Sequence, residues 1–442
     1  MPSGLLLLAI GFAALGAAAV VLASPTHWVL AFYFASQLWQ DTYMVAGIAL
    51  DGVDVSFAAL AAVLAVRGRP GDGGPRRRMP RRWLWAGLAA FLVASYAVSP
   101  AGGVHMTDPL RAVYQSYRYA IRGILLFPLC YLLVTTGRRF DDVLRAIVLT
   151  ACACSVMSWA QGYAGQWGTG PFTTKNGLAA ALAVPVVFAT VDVLCRRRPW
   201  PSVLVLLILL RGALFASSRG AFAGILGGVA VAWWLLLRAR VRTRMGALGT
   251  ACVLAVGLAV VAFPELLDRP TVTRFFTTFD TGQNTFVWRT EDRWPHFFRR
   301  ALEQPWLGWG EAVDRSLGDR VNTPHNGYLS LAVTHGIPVL ALYMLFIGLT
   351  MRDGARAAAR APDREDRIRG AKICGALACI LIHNVVDAVV VLPFVAGELW
   401  LCAAFAPRLA RARRAATPAV ATAEAVPAPA GAVAHVSGGS RG

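Results

Sequence analysis

Residues 201–237 read PSVLVLLILLRGALFASSRGAFAGILGGVAVAWWLLL. Two apolar runs, 201–217 and 220–237, are separated by Ser218 and Arg219 alone. Each run is close to the roughly 20 residues that cross a bilayer as a helix. So short a connection makes the two helices antiparallel neighbours and returns the chain to the face it came from. The pattern recurs at 4–23, 83–99, 117–136, 143–162, 177–194, 245–264, 328–350 and 373–390. Two shorter runs, 53–67 and 393–407, reach across if flanking arginines snorkel to the interface. The expected fold is therefore an all-α polytopic integral membrane protein of about 12 transmembrane helices. The stretch 26–48 carries Asp41, with Asp51 and Asp54 just beyond it, and reads as interfacial or re-entrant.

Composition agrees. The chain has 442 residues, of which 57% are hydrophobic and 15% charged, with a mean hydropathy of +0.54. Soluble domains are nearer 25% charged, which argues against an ordinary cytosolic enzyme. The net charge of +19 would suit a nucleic-acid binder if it formed one surface. Instead 29 of the 43 basic residues fall in 67–82, 137–145, 196–198, 238–244, 351–372 and the tail after 407. Those segments alternate with the apolar runs, as expected of basic loops kept on the cytoplasmic face. Nucleic acid is thereby excluded as a partner, and both termini are assigned to the cytoplasm. Residues 1–407 form the membrane-embedded domain, and 408–442 form a basic, then disordered, cytoplasmic tail. The eight cysteines lie in apolar runs or at their ends without a CxxC pair, and read as small hydrophobes.

The opposite face receives short connections and one large periplasmic segment, 265–327, ahead of the last spans. That segment holds eight arginines, among them Arg289 and Arg293, together with Trp288, Trp294, Trp306 and Trp309. Within 286–302 the apolar residues recur at helical spacing, which predicts an amphipathic helix lying on the membrane. Arginines on the face from which they are usually depleted point to an anionic ligand; a solvated cap with aromatic anchors is the plain alternative.

Four positions at the outer helix ends attract notice: Lys175 in Phe172-Thr-Thr-Lys-Asn-Gly177, Arg219 in Ser217-Ser-Arg-Gly220, Arg289 in Val287-Trp-Arg-Thr290, and His325 in Thr323-Pro-His-Asn-Gly-Tyr328. Arg219 has only the membrane boundary or the bundle interior to occupy, and an ionisable group there calls for a partner. A snorkelling arginine is the competing reading, and Arg211, Arg118 and Arg122 raise the same question. A neutral imidazole at His325 is suited to accept a proton near pH 7, although a histidine at a helix entrance is often structural. His383, with Asn384 beside it and Asp387 four residues on, reads as part of a hydrogen-bonded helix-face arrangement with a structural role.

The order of these motifs, with Pro305-Trp-Leu-Gly-Trp-Gly310 between Arg289 and His325-Asn-Gly-Tyr-Leu329, resembles the O-antigen ligase and O-antigen polymerase superfamily over about residues 53–400. The resemblance implies a membrane glycosyltransferase of GT-C-related fold in the bacterial inner membrane. Such an enzyme takes a glycan from undecaprenyl diphosphate on the periplasmic face. It passes the glycan to lipid A-core (ligase) or to another carrier-linked unit (polymerase). By motif match, Arg219 and Arg289 hold the diphosphate and His325 acts on the acceptor. Lys175, Asn176, Arg293, Asn326 and Tyr328 are the expected substrate contacts, Lys175 standing where the family more often has a small or polar residue. No dense carboxylate cluster or DxD pair is expected on the outer face, so neither a metal ion nor another cofactor is expected. A transporter of an anionic lipid-linked substrate and a non-catalytic scaffold are the alternative functions.

Overall fold

The computed structural model describes residues 28–38, 43–45, 48–50, 52–67, 79–98, 122–163, 168–172, 174–245, 288–310, 324–389 and 392–416. The spans expected at 4–23 and 245–264, much of 265–327, Arg118 and the tail beyond 416 lie outside the described residues.

The first described helix, α1 (Trp28–Ala35), has eight residues and is about 12 Å long, too short to cross a bilayer. It buries Leu30, Tyr33 and Phe34. A two-stranded antiparallel hairpin follows, β1 (Tyr43–Val45) and β2 (Ile48–Leu50), with Tyr43 opposite Leu50. This hairpin is an exception to the all-α expectation. The chain then continues through α2 (Gly52–Arg67), α3 (Arg82–Val98), α4 (Arg122–Leu133), α5 (Gly137–Tyr163), α6 (Lys175–Cys195), α7 (Trp200–Ala216) and α8 (Arg219–Arg238). After a π turn, Arg289–Arg293, come α9 (Trp294–Glu303), α10 (Gly327–His335), α11 (Ile337–Arg360), α12 (Arg364–Val386) and α13 (Pro393–Ala416). Helices α6, α8, α11 and α12 are long and apolar enough to cross a membrane. The protein is a polytopic membrane protein.

Helix α6 is the centre of the bundle. Every residue in it except Lys175, Asn176 and Asp192 is buried, as expected of a helix apolar on all sides. Beside it, α8 and α12 approach closely through small residues. A Cβ added at Gly224 would lie 2.8 Å from the Cys379 carbonyl oxygen, and one at Gly228 would lie 2.6 Å from that of Gly375. Glycine spaced by four along α8 thus lets two backbones touch, the usual basis of helix association where burial from water supplies no driving force.

The basic segments gather at one end of this bundle. Arg369 pairs with Asp141 at 2.6 Å, Lys372 with Asp192 at 2.8 Å, and Arg81 with Asp353. Arg364 donates to the Cys195 carbonyl at 2.6 Å and Arg408 to that of Tyr131. The ends of α4, α6, α11 and α13 and the starts of α3, α5 and α12 therefore share one face. The other helix ends, with Lys175, Arg219, His325 and Asp387, share the opposite face.

The apolar run expected as one span over 328–350 is two helices. It breaks at Gly336, whose φ is +90°, and α11 restarts with Pro338 in its first turn. The Pro305–Gly310 motif closes on this break. Trp309 N–H donates to the Val333 carbonyl at 2.7 Å, Gly310 N–H to Thr334 at 2.9 Å, and Ile337 N–H to Pro305 at 2.7 Å. Gly308 and Gly310 both have positive φ, and a Cβ at Gly308 would strike the Thr334 carbonyl. The motif is a clasp that ties the outer segment to the bundle.

Candidate active site

Arg219 opens α8. Ser217, at φ +51°, closes α7 in the left-handed region, and Ser218 caps α8 by accepting from Ala221 N–H. The two serines thus make a turn of minimum length, and Arg219 stands exposed at the bundle end. Lys175 opens α6 in the same way, with Thr174 as N-cap accepting from Gly177 N–H at 3.0 Å. The preceding turn is held by Gln161, whose side-chain oxygen accepts from Thr169 and Gly170 N–H at 2.8 and 2.7 Å. A cation in the first turn opposes the helix dipole. Two such helices opening on one face leave N–H groups and positive side chains together, an arrangement that favours an anion.

Arg289 and Arg293 lie on the π turn ahead of α9. Helix α9 is amphipathic as expected, but its apolar face is packed on protein: Phe297 and Ala301 are buried against Ala332 and Val333 of α10. Phe298 and Leu302 remain exposed, as does Trp306, at 73%. Trp294 Nε1 donates to the Pro324 carbonyl at 3.1 Å and so fixes the approach to His325. Arg293 stacks on Trp288, 3.9 Å from the ring centre. Arg289 reaches inward, where its Nη1 donates to the Val386 carbonyl, left unpaired at the end of α12, at 2.7 Å. Burial lowers the pKa of this half-buried guanidinium; Asp387 opposes that, and the like charges of Arg219 and Arg293 add to it. Arg289 is a cation crowded by cations, and a bound anion would relieve it.

His325 sits on the same patch with φ +46°, a left-handed conformation costly for a residue with a Cβ. Its Nδ1 lies 3.7 Å from Asp387 Oδ1, an ion-pair distance longer than a hydrogen bond. Asp387 is the C-cap of α12. Its carboxylate interacts with His383 on its own helix, as expected, and it also faces His325 from another element. Among the described residues, Arg289 Nε, His325 Nδ1 and His383 Nε2 are buried without a hydrogen-bond partner.

The seam between α8 and α12 aligns these groups. Gly220, next to Arg219, lies against Val386 and His383, which brings the start of α8 beside the end of α12. Gly327, two residues after His325, lies against the Asn384 amide with no room for a side chain.

Other expected contacts have structural partners. Asn326 caps α10, accepting from Tyr328 and Leu329 N–H at 3.0 Å each. Tyr328 donates its hydroxyl to the Leu381 carbonyl at 2.6 Å. Both secure the loop that carries His325. His335 is bound to Ser95 at 2.9 Å. Arg211 stacks between Trp159 and Phe215, at 4.2 and 4.7 Å from the ring centres. Arg122 begins α4. Among the described residues no group of three or more His, Cys, Asp and Glu side chains is placed to hold a metal ion.

Residues 204–344, about a third of the chain, match the family model described as O-antigen ligase. The match includes Arg219, Arg289, Arg293, His325, Asn326 and Tyr328; Lys175, Asn176 and Asp387 fall outside it. No curated protein matches the chain.

Proposed function

We propose that this chain, whose residues 204–344 match the O-antigen ligase family model, is a ligase of the bacterial inner membrane. It transfers a glycan from undecaprenyl diphosphate to a sugar hydroxyl of lipid A-core on the periplasmic face, on a GT-C-related scaffold. The observation that carries this reading is the gathering of Arg219, Arg289 and Arg293 with the His325–Asp387 pair at one end of the bundle. Glycosyl transfer from a lipid diphosphate makes the anomeric carbon oxocarbenium-like while negative charge grows on the leaving oxygens. Fixed guanidiniums, able to bind phosphate oxygens bidentately, stabilise that charge as a metal ion would.

His325 takes the proton of the acceptor hydroxyl as its oxygen forms the new bond to the anomeric carbon. The bond from that carbon to the phosphate oxygen breaks at the same time, and its electron pair leaves with undecaprenyl diphosphate. A single displacement inverts the anomeric centre. Asp387 orients the imidazole and balances the imidazolium that forms. Lys175 and Asn176, at the N-terminus of α6, and Arg293 complete the anion-binding face. Asn326 and Tyr328 hold the His325 loop in place.

A polymerase shares every one of these groups, differing only in the acceptor. The test is a transfer assay with purified protein in detergent and EDTA, using a short glycan on undecaprenyl diphosphate. Donor is supplied with lipid A-core in one arm and alone in the other. Product on lipid A-core, lost in Arg219→Ala, Arg289→Ala and His325→Ala, supports the ligase. Lengthened carrier-linked glycan alone identifies a polymerase. Full activity of His325→Ala refutes the catalytic assignment and favours transport of an anionic lipid-linked substrate.

A further inference from the structure

At the end of the bundle opposite the candidate active site, a cavity of about 630 Å³ opens among the start of α3, the last turns of α11 and the end of α13. Arg81, Arg352, Arg356, Arg360 and Arg411 line it, against the single carboxylate of Asp353. Sixteen residues of α11 separate Gly336 from Arg352, about 24 Å along the helix, so this cavity is distinct from the catalytic face.

Its base is built rather than incidental. Arg81, with a side chain 10% exposed, is held in a left-handed conformation at φ +57°. It donates to Thr350 Oγ1 at 2.8 Å and to the Leu349 carbonyl at 2.7 Å, and it pairs with Asp353. Arg352 shares that carboxylate at 3.4 Å. Asp353 is therefore already engaged twice. Arg356, Arg360 and Arg411 have no carboxylate partner among the described residues, and Arg356 and Arg411 are exposed. Burial lowers the pKa of Arg81, Asp353 opposes, and Arg352 and Arg411 add to the effect. Like charges converge here without enough carboxylates to balance them, as they do in sites that take phosphate.

The surroundings favour a lipid over a free ion. Pro80, Ala357, Pro407 and Leu409 give the same cavity an apolar wall. In the first turn of α3, two residues after Arg81, Trp83 is 77% exposed, with Arg82 stacked 5.0 Å from the ring centre. An exposed tryptophan beside arginine is typical of the headgroup level of a membrane, and the charge rule assigns this end to the cytoplasmic leaflet. We propose that the cavity binds the phosphodiester headgroup of an anionic phospholipid, with its acyl chains along the apolar wall.

The test uses the full chain in phosphatidylcholine nanodiscs, with or without phosphatidylglycerol, and in a third arm with inorganic phosphate at matched ionic strength. Native mass spectrometry counts retained phosphatidylglycerol, and thermal unfolding reports stabilisation. Arg356→Glu/Arg411→Glu alters the exposed rim of the cavity and leaves Arg81 intact. Arg138→Glu/Arg197→Glu, at exposed positions outside the cavity on the same end, controls for general surface charge. Wild type and control should retain phosphatidylglycerol and unfold at a higher temperature with it. The cavity variant should retain it about tenfold less, while unfolding normally in pure phosphatidylcholine. Equal losses in both variants, absence of retention by wild type, or full displacement of the lipid by inorganic phosphate would each overturn the proposal.

Discussion

Asp387→Asn separates charge from shape in the His325 arrangement. The two groups are 3.7 Å apart, with side chains 33% and 20% exposed. At that separation a pair of unit charges interacts by about 1 kcal/mol in a water-like dielectric and about 4 kcal/mol at an effective dielectric of 20. The pair is neither dry nor fully wet, so the true value lies between them. Full charge exists on both only after His325 has taken the acceptor proton. The interaction therefore stabilises the transition state more than the resting enzyme, and its loss lowers kcat. Those limits correspond to about fivefold and about a thousandfold, and we expect about fiftyfold for the amide, which preserves the side-chain volume. Initial rates of glycan transfer at saturating donor measure it, with thermal unfolding as a parallel check that the fold is intact. Asp387→Asn turning over at the wild-type rate, while His325→Ala is inactive, would refute the role given to the carboxylate.

Two further outcomes follow from the packing. Gly224→Val drives a branched side chain into the Cys379 carbonyl, 2.8 Å from the added Cβ. It should cost about 1–3 kcal/mol, seen as a lower unfolding temperature in detergent, and should slow transfer by shifting the start of α8, with Arg219, relative to the end of α12. Gly123→Ala, with nothing within 4 Å of the added Cβ, should change neither. Lys372→Met leaves the partly exposed Asp192 half-paired at the bundle end, since Lys372 is 8% exposed and the remaining partner Arg196 is 50% exposed. The loss should be about 3 kcal/mol, and Lys372→Met/Asp192→Leu should recover most of it in the same unfolding measurement.

Helix positions were legible where an uninterrupted apolar run met a bilayer-length requirement. The runs at 53–67, 83–99, 177–194, 201–217 and 220–237 coincide with α2, α3, α6, α7 and α8 to within about two residues. The same criterion misjudged ends that leave the apolar zone. Helix α11 runs to Arg360 and α12 starts at Arg364, because alanine and arginine are good helix formers inside and outside the apolar zone alike. It also passed over the break in His335-Gly-Ile-Pro338, where a glycine followed by proline two residues on carried the signal. The glycines of α8 at 220, 224 and 228 were likewise visible as a spacing of four. Their meaning depended on finding Gly375 and Cys379 opposite them, which no local pattern supplies.

The candidate site divides along the same line. Arg219, Arg289 and His325 could be singled out because each is a costly residue in a place with few ways to satisfy it. What a one-dimensional reading left incomplete was partnership. Asp387 lies four residues from His383, so helical spacing pairs those two, and they do interact; but α12 ends at Val386, and the carboxylate also reaches His325, which no helical spacing foretells. Asn326 and Tyr328, expected as substrate contacts by motif match, have structural partners that the motif does not reveal: one caps α10 and the other binds α12. Near a functional residue, a neighbour in sequence often supports the backbone, while the side chain that completes the chemistry comes from another helix. Here that helix, α12, is held against α8 by the glycines at 220, 224 and 228. The α8–α12 seam is therefore as much a determinant of the site as the arginines it aligns, and for that reason Gly224→Val is expected to lower transfer as well as stability.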